Sequence, residues 1–310
     1  MADVVGVVDH HAVMVTARRC HAAGVAKALH QVLQQGQTFV VGIDVVALLR
    51  AGGRHLLNHN EFLLTAKECL TRRQGAASMS VSVLIASEFA VSPGLEARWM
   101  ADLPPSRRAE IGGWNSPRDR QLSLLGTRLL ASGLQRLGCP AEVLATLSHP
   151  AQARPTLDLP FDFSISHGDG RVVCALSTCG PVGIDVEALG PLVAKDFHLY
   201  LSPAERDWAG RSARRFYAVW TRKEAVAKAA GGGLRDLARV DTTVAAALCE
   251  LDGRLWHTRP VPVGRAHVAH LAMAGDLAHV TFKRLSRQAL ECGSPSDDRA
   301  VFAMKIPTGE

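Results

Sequence analysis

Two carboxylates, Asp185 and Glu187, stand near the end of the octapeptide VGIDVEAL, Val182 to Leu189. On an extended strand, residues two apart share a face, so both would project towards one point. A hard divalent cation such as Mg2+ takes a few such oxygens and keeps room for water and a substrate phosphate. Taken alone, an Asp-x-Glu strand end is common and usually just solvated.

The stretch WTRKEAVAKAAGGGL, Trp220 to Leu234, adds a second group. Glu224 and Lys228 lie four apart and would face the same side of a helix. They could form a plain surface ion pair, contributing under about 1 kcal/mol, or a third carboxylate for a metal with a lysine for a phosphate beside it. Trp220, one turn earlier on that face, would anchor the helix to the core. In a third stretch, FSISHGDGRVVCALS, Ser166 and His167 fall where a strand gives way to a glycine-containing turn. Hydroxyl, imidazole and backbone N–H groups there could receive an anion, although a satisfied structural histidine is the plainer reading. Arg154-Pro155 would hold a guanidinium at a rigid turn, a geometry suited to phosphate.

Strand and helix patterns supply the framework for these groups. SVSVLIASEF, Phe161–Ile165, Val172–Ser177 and Pro181–Val186 read as strands. A long helix is predicted after Pro117, with leucines at helical spacing and Gly138 as its stop. A second is predicted over Ala213–Ala230, ending at Gly231-Gly232-Gly233. Further strands are expected at Thr242–Leu251, Arg254–Thr258, His267–Ala272 and Ala278–Phe282, and Ser106 is expected to cap an arginine-rich stretch. The implied class is α+β, with two similar halves at 79–180 and 181–286. Residues 1–78 form an extension with helices expected at Ala17–Gln34 and Glu61–Arg72 and a strand at Thr38–Val46. Residues 287–310 form a tail expected to be disordered.

The chain has 310 residues, of which 47% are hydrophobic and 21% charged, as in ordinary globular proteins. Neither a signal peptide nor a membrane-spanning run is visible. The seven cysteines form no C-x-x-C pair, which fits reduced thiols in a cytoplasm. A net charge of +6 and a pI near 9.1 point to an acidic partner. Aromatics at 5%, with no arginine-aromatic motif, argue against nucleic acid. His55 and His59 could bind zinc if helical, but no third ligand is evident.

In this order, Phe163-Ser164-Ile165-Ser166-His167, Gly183-Ile184-Asp185-Val186-Glu187 and the stretch from Trp220 through Leu234 resemble the motifs of the Sfp-type 4′-phosphopantetheinyl transferases. The resemblance covers roughly residues 80–286. It implies two pseudo-symmetric halves, each a small sheet on a long helix, with the active site between them. The implied reaction moves the phosphopantetheine arm of coenzyme A to a serine of an apo acyl, peptidyl or aryl carrier protein, with Mg2+. Adenosine 3′,5′-bisphosphate is released, and the enzyme would be a cytoplasmic monomer needing no nucleic acid or membrane. Carried over by motif, Asp185, Glu187 and Glu224 become metal ligands, and Lys228 a pyrophosphate contact. Ser166 and His167 would hold coenzyme A phosphates, and Arg154 takes the lysine position of a Gly-Lys-Pro motif. Arg107 would meet the 3′-phosphate and Ser123 the adenine. The base would be Glu224 or a metal-bound water that it polarises. Ala153-Arg154-Pro155 departs from Gly-Lys-Pro but keeps the charge, whereas Leu122 stands where many relatives carry a basic residue.

An upstream octapeptide, VGIDVVAL (Val41–Leu48), differs from VGIDVEAL only by Val46 in place of Glu187. Thr65–Arg72 likewise echoes Thr221–Lys228. Residues 38–75 weakly resemble the start of the smaller holo-acyl-carrier-protein synthases, without a Ser-His motif. They could be a decayed relative, a chance similarity, or translated sequence before a true start near Met79.

Overall fold

The computed structural model describes residues 80–150, 154–277 and 279–292, and the backbone of three short strands before them. The chain divides into two units, Met1–Asn58 and His59–Glu310. In the first, β1 (Gly6–Asp9) pairs antiparallel with β2 (Ala12–Val15), which pairs parallel with β3 (Phe39–Val40). The helices expected at Ala17–Gln34 and Glu61–Arg72, most of the strand expected at Thr38–Val46, and His55 and His59 lie outside the described residues.

The second unit opens with β4 (Val81–Ser87), followed by α1 (Pro93–Ala101), α2 (Pro105–Gly112) and the long α3 (Pro117–Arg136). Strands β5 (Asp162–Gly168), β6 (Arg171–Ser177) and β7 (Val182–Ala188) come next. Helices α4 (Pro203–Ala209) and α5 (Ala213–Ala230) precede β8 (Asp241–Ala245), β9 (Leu248–Leu251), β10 (Arg254–Pro260) and β11 (His267–Met273). The described chain ends with β12 (Val280–Arg284) and α6 (Arg287–Cys292).

Two sheets result, ordered β12-β4-β6-β5 and β7-β11-β10-β9-β8. Alternation along the strands sends apolar side chains to both faces of each sheet, and four layers follow. Leu124, Leu125 and Leu129 of α3 pack with Leu84, Cys174 and Leu176 on the outer face of the first sheet. Val83, Ile85, Val173 and Ala175 on its inner face meet Ile184, Val186 and Leu271 of the second. Ala225, Val226 and Ala229 of α5 cover Cys249, Trp256 and Ala272 on the far side. This is the expected α+β class, with a small sheet on a long helix in each half.

Several details depart from the sequence reading. The stretch Thr242–Leu251 is two strands, β8 and β9, rather than one. β12 lies parallel to β4 in the first sheet, pairing Val280 with Val81, so the end of the second half completes the sheet of the first. Ser106 caps nothing: Pro104 is the N-cap of α2, without a side-chain hydrogen bond. α6 occupies the start of the tail, where burial of Ala289 and Leu290 and a bond from Arg128 Nε to Leu290 O (3.0 Å) secure it. The remainder of the tail lies outside the described residues. Among the described residues no helix is long and apolar enough to cross a membrane.

Candidate active site

The site forms where α5 lies against β7. Because Val182, Ile184 and Val186 turn into the core between the sheets, Gly183, Asp185 and Glu187 must face α5. Gly183 sets how closely they meet: a Cβ there would stand 2.0 Å from Ala225 O and 2.6 Å from Ala229 N. The missing side chain therefore lets the helix backbone rest on the strand, with Glu224 and Lys228 above the two carboxylates. Ser212 caps the start of α5, and Gly231, at φ 83°, ends it three residues beyond Lys228.

Asp185 is buried at 2% exposure. Its Oδ1 accepts from Ser166 Oγ (2.8 Å) and from Lys228 Nζ (2.6 Å). Lys228 also reaches Ser166 Oγ at 3.2 Å and lies 3.5 Å from Glu224 Oε2. Asp185 Oδ2 is buried with no hydrogen-bond partner, a costly condition for a carboxylate oxygen. One oxygen each of Asp185, Glu187 and Glu224 lie within 4.8 Å of one another. The Trp220 indole N–H lies close enough to favour the charged form of both glutamates, while its ring sits edge-on against Phe197 and Tyr200 and stacks on Phe216. The tryptophan expected only as an anchor thus also touches the site.

Electrostatics follow from this crowding. Burial, then repulsion from Asp185 and Glu224, pushes Glu187 up to about 7. Burial and Asp185 likewise raise Glu224. Burial works against the Lys228 ammonium, but Asp185 and Glu224 outweigh it and raise its pKa. Behind the carboxylates, burial and Arg222 depress His270 to about 3. That imidazole is therefore neutral and is held 2.7 Å from Thr221 Oγ1. Three converging carboxylates, one lysine and an unpartnered buried oxygen fit a divalent cation with oxygen ligands.

His167 occupies the exposed end of β5. The strand runs through both Ser166 and His167, and the turn follows at Asp169-Gly170. The protein around the imidazole, and then Lys228, lowers its pKa. Arg118, which the motifs did not indicate, bonds Glu88 (2.7 Å from Nε) and Asp169, while Gly170 N donates to Glu88 (3.1 Å).

Arg107 and Ser123 come together: Arg107 Nη2 donates to Ser123 Oγ at 2.6 Å. Two unforeseen groups join them. Glu110 Oε2 lies 2.6 Å from Arg107 Nη1, and His149 Nδ1 lies 2.9 Å from both. Partial burial opposes the Glu110 charge, yet Arg107 and His149 hold its pKa below the ordinary value. Arg154 has other contacts. Nη1 donates to Ala229 O (2.8 Å), and Nη2 to Asp162 Oδ2 (2.6 Å), Val182 O (2.8 Å) and Phe163 O (3.2 Å).

A family model described as the 4′-phosphopantetheinyl transferase superfamily matches residues 181–259, which include β7 and α5. The chain is 34% identical over 123 residues to the 4′-phosphopantetheinyl transferase gsp of Aneurinibacillus migulanus, covering 38% of this chain and 51% of that protein. It is 33% identical over 140 residues to the 4′-phosphopantetheinyl transferase AcpT of Salmonella typhi, covering 42% and 70%. With AcpT of Escherichia coli strain K12 it shares 31% over 163 residues, covering 49% and 80%. The match therefore spans about half of the first of these relatives and more than two thirds of the other two.

Proposed function

Because the chain belongs to the 4′-phosphopantetheinyl transferase superfamily, we propose that it transfers the phosphopantetheine arm of coenzyme A to a serine of an apo carrier protein. The observation that carries this reading is Asp185: one oxygen is held by Ser166 and Lys228, the other has no hydrogen-bond partner, and the carboxylate clusters with those of Glu187 and Glu224. Asp185, Glu187 and Glu224 would hold Mg2+. When bound, the cation supplies neutralisation of the charge that develops on the pyrophosphate.

The chain's own groups do the rest. Lys228 Nζ, at the edge of the carboxylate cluster, holds a pyrophosphate oxygen, and Ser166 and His167 receive the neighbouring phosphates. Arg107, placed against Ser123, meets the 3′-phosphate end of coenzyme A. The serine oxygen of the carrier bonds to the β-phosphorus as the bridging P–O bond to the α-phosphate breaks. Phosphopantetheinyl-serine and adenosine 3′,5′-bisphosphate result. Glu224 takes the serine proton, directly or through a water, and the raised pKa of its buried carboxyl suits that role. The five cysteines among the described residues are free thiols, which supports a cytoplasmic setting. A monomer acting without nucleic acid or membrane is part of the same reading, and acyl, peptidyl and aryl carriers are the candidate acceptors.

The test is to incubate the full chain with coenzyme A, Mg2+ and apo carrier proteins of each class, then weigh the carriers. The expected result is a mass gain of one phosphopantetheine that Asp185→Ala and Glu224→Ala each abolish. Asp44→Ala and Glu68→Ala, in the upstream echo, should leave it near normal. No gain on any carrier would overturn the enzyme reading in favour of a binding homologue. Equal losses in both pairs would overturn the choice of site.

A further inference from the structure

We propose that Arg154 is a positioning residue, a clamp that fixes the three site-bearing elements against one another, and not a phosphate contact. The inference rests on the reading of Asp185, Glu187 and Glu224 as cation ligands. The four acceptors of its guanidinium are spread over three parts of the site framework. Ala229 O, reached at 2.8 Å, is on the last turn of α5, one residue beyond Lys228. Val182 O, also at 2.8 Å, opens β7, which carries Asp185 and Glu187. Asp162 Oδ2 and Phe163 O, at 2.6 and 3.2 Å, open β5, which carries Ser166.

Asp162 closes the arrangement by accepting from Val182 N at 2.8 Å, so β5 and β7 are joined through carboxylate and guanidinium together. The ion pair is partly buried, with side-chain exposures of 20% and 26%. The arginine's own backbone is steadied next to Pro155 and the bridge between Ser148 and Thr156. Its stem passes Gly231, where a Cβ would stand 3.7 Å from Arg154 Cδ. A carbonyl in the last turn of a helix has no partner inside the helix and favours a cation, which Arg154 supplies. With both terminal nitrogens committed to these acceptors, the guanidinium holds the site together from behind. A lysine would carry the charge but not the planar fork, because its donors radiate from a single atom.

The full chain and its Arg154→Ala and Arg154→Lys variants separate the two roles. Mn2+ affinity, measured by titration calorimetry without coenzyme A, should fall about 10- to 100-fold in both variants, the usual cost of losing a group that orients metal ligands. The transfer kcat should fall similarly while the KM for coenzyme A stays within about threefold, and free guanidinium should restore part of the kcat of Arg154→Ala. Loss of coenzyme A affinity that lysine restores, with Mn2+ binding unchanged, would identify a phosphate contact and overturn the proposal. A purely global stabilising role, with lower Tm but unaltered Mn2+ affinity and kcat in the folded protein, would overturn it too. Amide hydrogen exchange on the metal-free chain reads the clamp whatever the chain's activity. Exchange should quicken at Val182 and across Ala225–Gly232 in Arg154→Lys, and not in α3; unchanged rates there would overturn the clamp. Failure of the wild type to transfer or bind Mn2+ would count against the proposed activity alone.

Discussion

Gly183→Ala tests the link between backbone approach and chemistry. The new methyl carbon would lie 2.0 Å from Ala225 O, 2.6 Å from Ala229 N and 3.0 Å from Ala225 C, all backbone atoms. Ordinary contact begins near 3.4 Å, so α5 must retreat from β7 by more than an ångström. The contacts at stake are short, 2.6 Å from Lys228 to Asp185 and 3.2 Å from Lys228 to Ser166, and a shift of that size breaks both. Overpacking should cost about 1–3 kcal/mol of stability, and a misplacement of about 1 Å should lower kcat roughly 100-fold. Gly133→Ala provides the comparison. Its Cβ would meet Leu176 Cδ1 at 2.5 Å and Leu84 Cδ1 at 3.2 Å, both ends of side chains that can turn aside. That variant should lose stability and keep its kcat within about threefold. Thermal melts together with carrier mass measured over time would decide. Wild-type kcat in Gly183→Ala, or an equal kcat loss in Gly133→Ala, would refute the claim that this contact positions the site.

Two further outcomes follow. Glu187, raised to about 7 by burial and its neighbouring carboxylates, must lose a proton to serve a cation, so Mg2+ affinity should weaken below pH 7, by up to about tenfold per pH unit. In the metal-free chain the same raised pKa stabilises the fold at low pH, and that contribution is lost as pH rises from the unfolded value of 4.5 through about 7. Mg2+ should therefore raise the Tm more at pH 8 than at pH 6, and Glu187→Gln should flatten the difference. Away from the site, Lys223 and Glu205 form an ion pair at 2.9 Å, each at 1% exposure. Glu205→Gln leaves a buried ammonium uncompensated and should cost about 3–5 kcal/mol in a denaturant melt.

The elements that carry the site were the most legible parts of the chain. α5 runs Ala213–Ala230 as its periodicity indicated, because a long amphipathic helix with a glycine stop has few alternatives. The alternation in VGIDVEAL likewise assigned Asp185 and Glu187 to one face. The parallel pairing of β12 with β4 left no mark, since a strand's period says which face is buried but not which edge it will join. The short helix α4 did carry a readable signal in its capping box of Ser202 and Glu205. Arg154 shows where the sequence is silent. A charge beside a proline suggested a phosphate contact; in the structure three of its four acceptors are backbone carbonyls, and a carbonyl has no sequence signature. Glu110 and His149 stayed hidden for a related reason: the contact of His149 with Arg107 joins α2 to a loop 42 residues on.

The repeated octapeptide shows how little of a site a strand contains by itself. VGIDVEAL and VGIDVVAL share the glycine and the aspartate, yet neither is sufficient. Asp185 acquires most of its character from outside the octapeptide: Ser166 and Lys228 hold one oxygen, and Glu224 joins Glu187 in the carboxylate cluster around it. Glu187 is the one acid that the strand adds, and its pKa is raised because β7 lies under α5, where water is scarce and two other carboxylates converge. Upstream, residues 1–40 contain no serine to match Ser166, and Val46 stands where Glu187 would be. Restoring that glutamate would return a side chain without the serine that helps hold Asp185. The proposed site is therefore the meeting of β5, β7 and α5, and a repeat of the β7 sequence alone supplies an aspartate without the groups that surround Asp185.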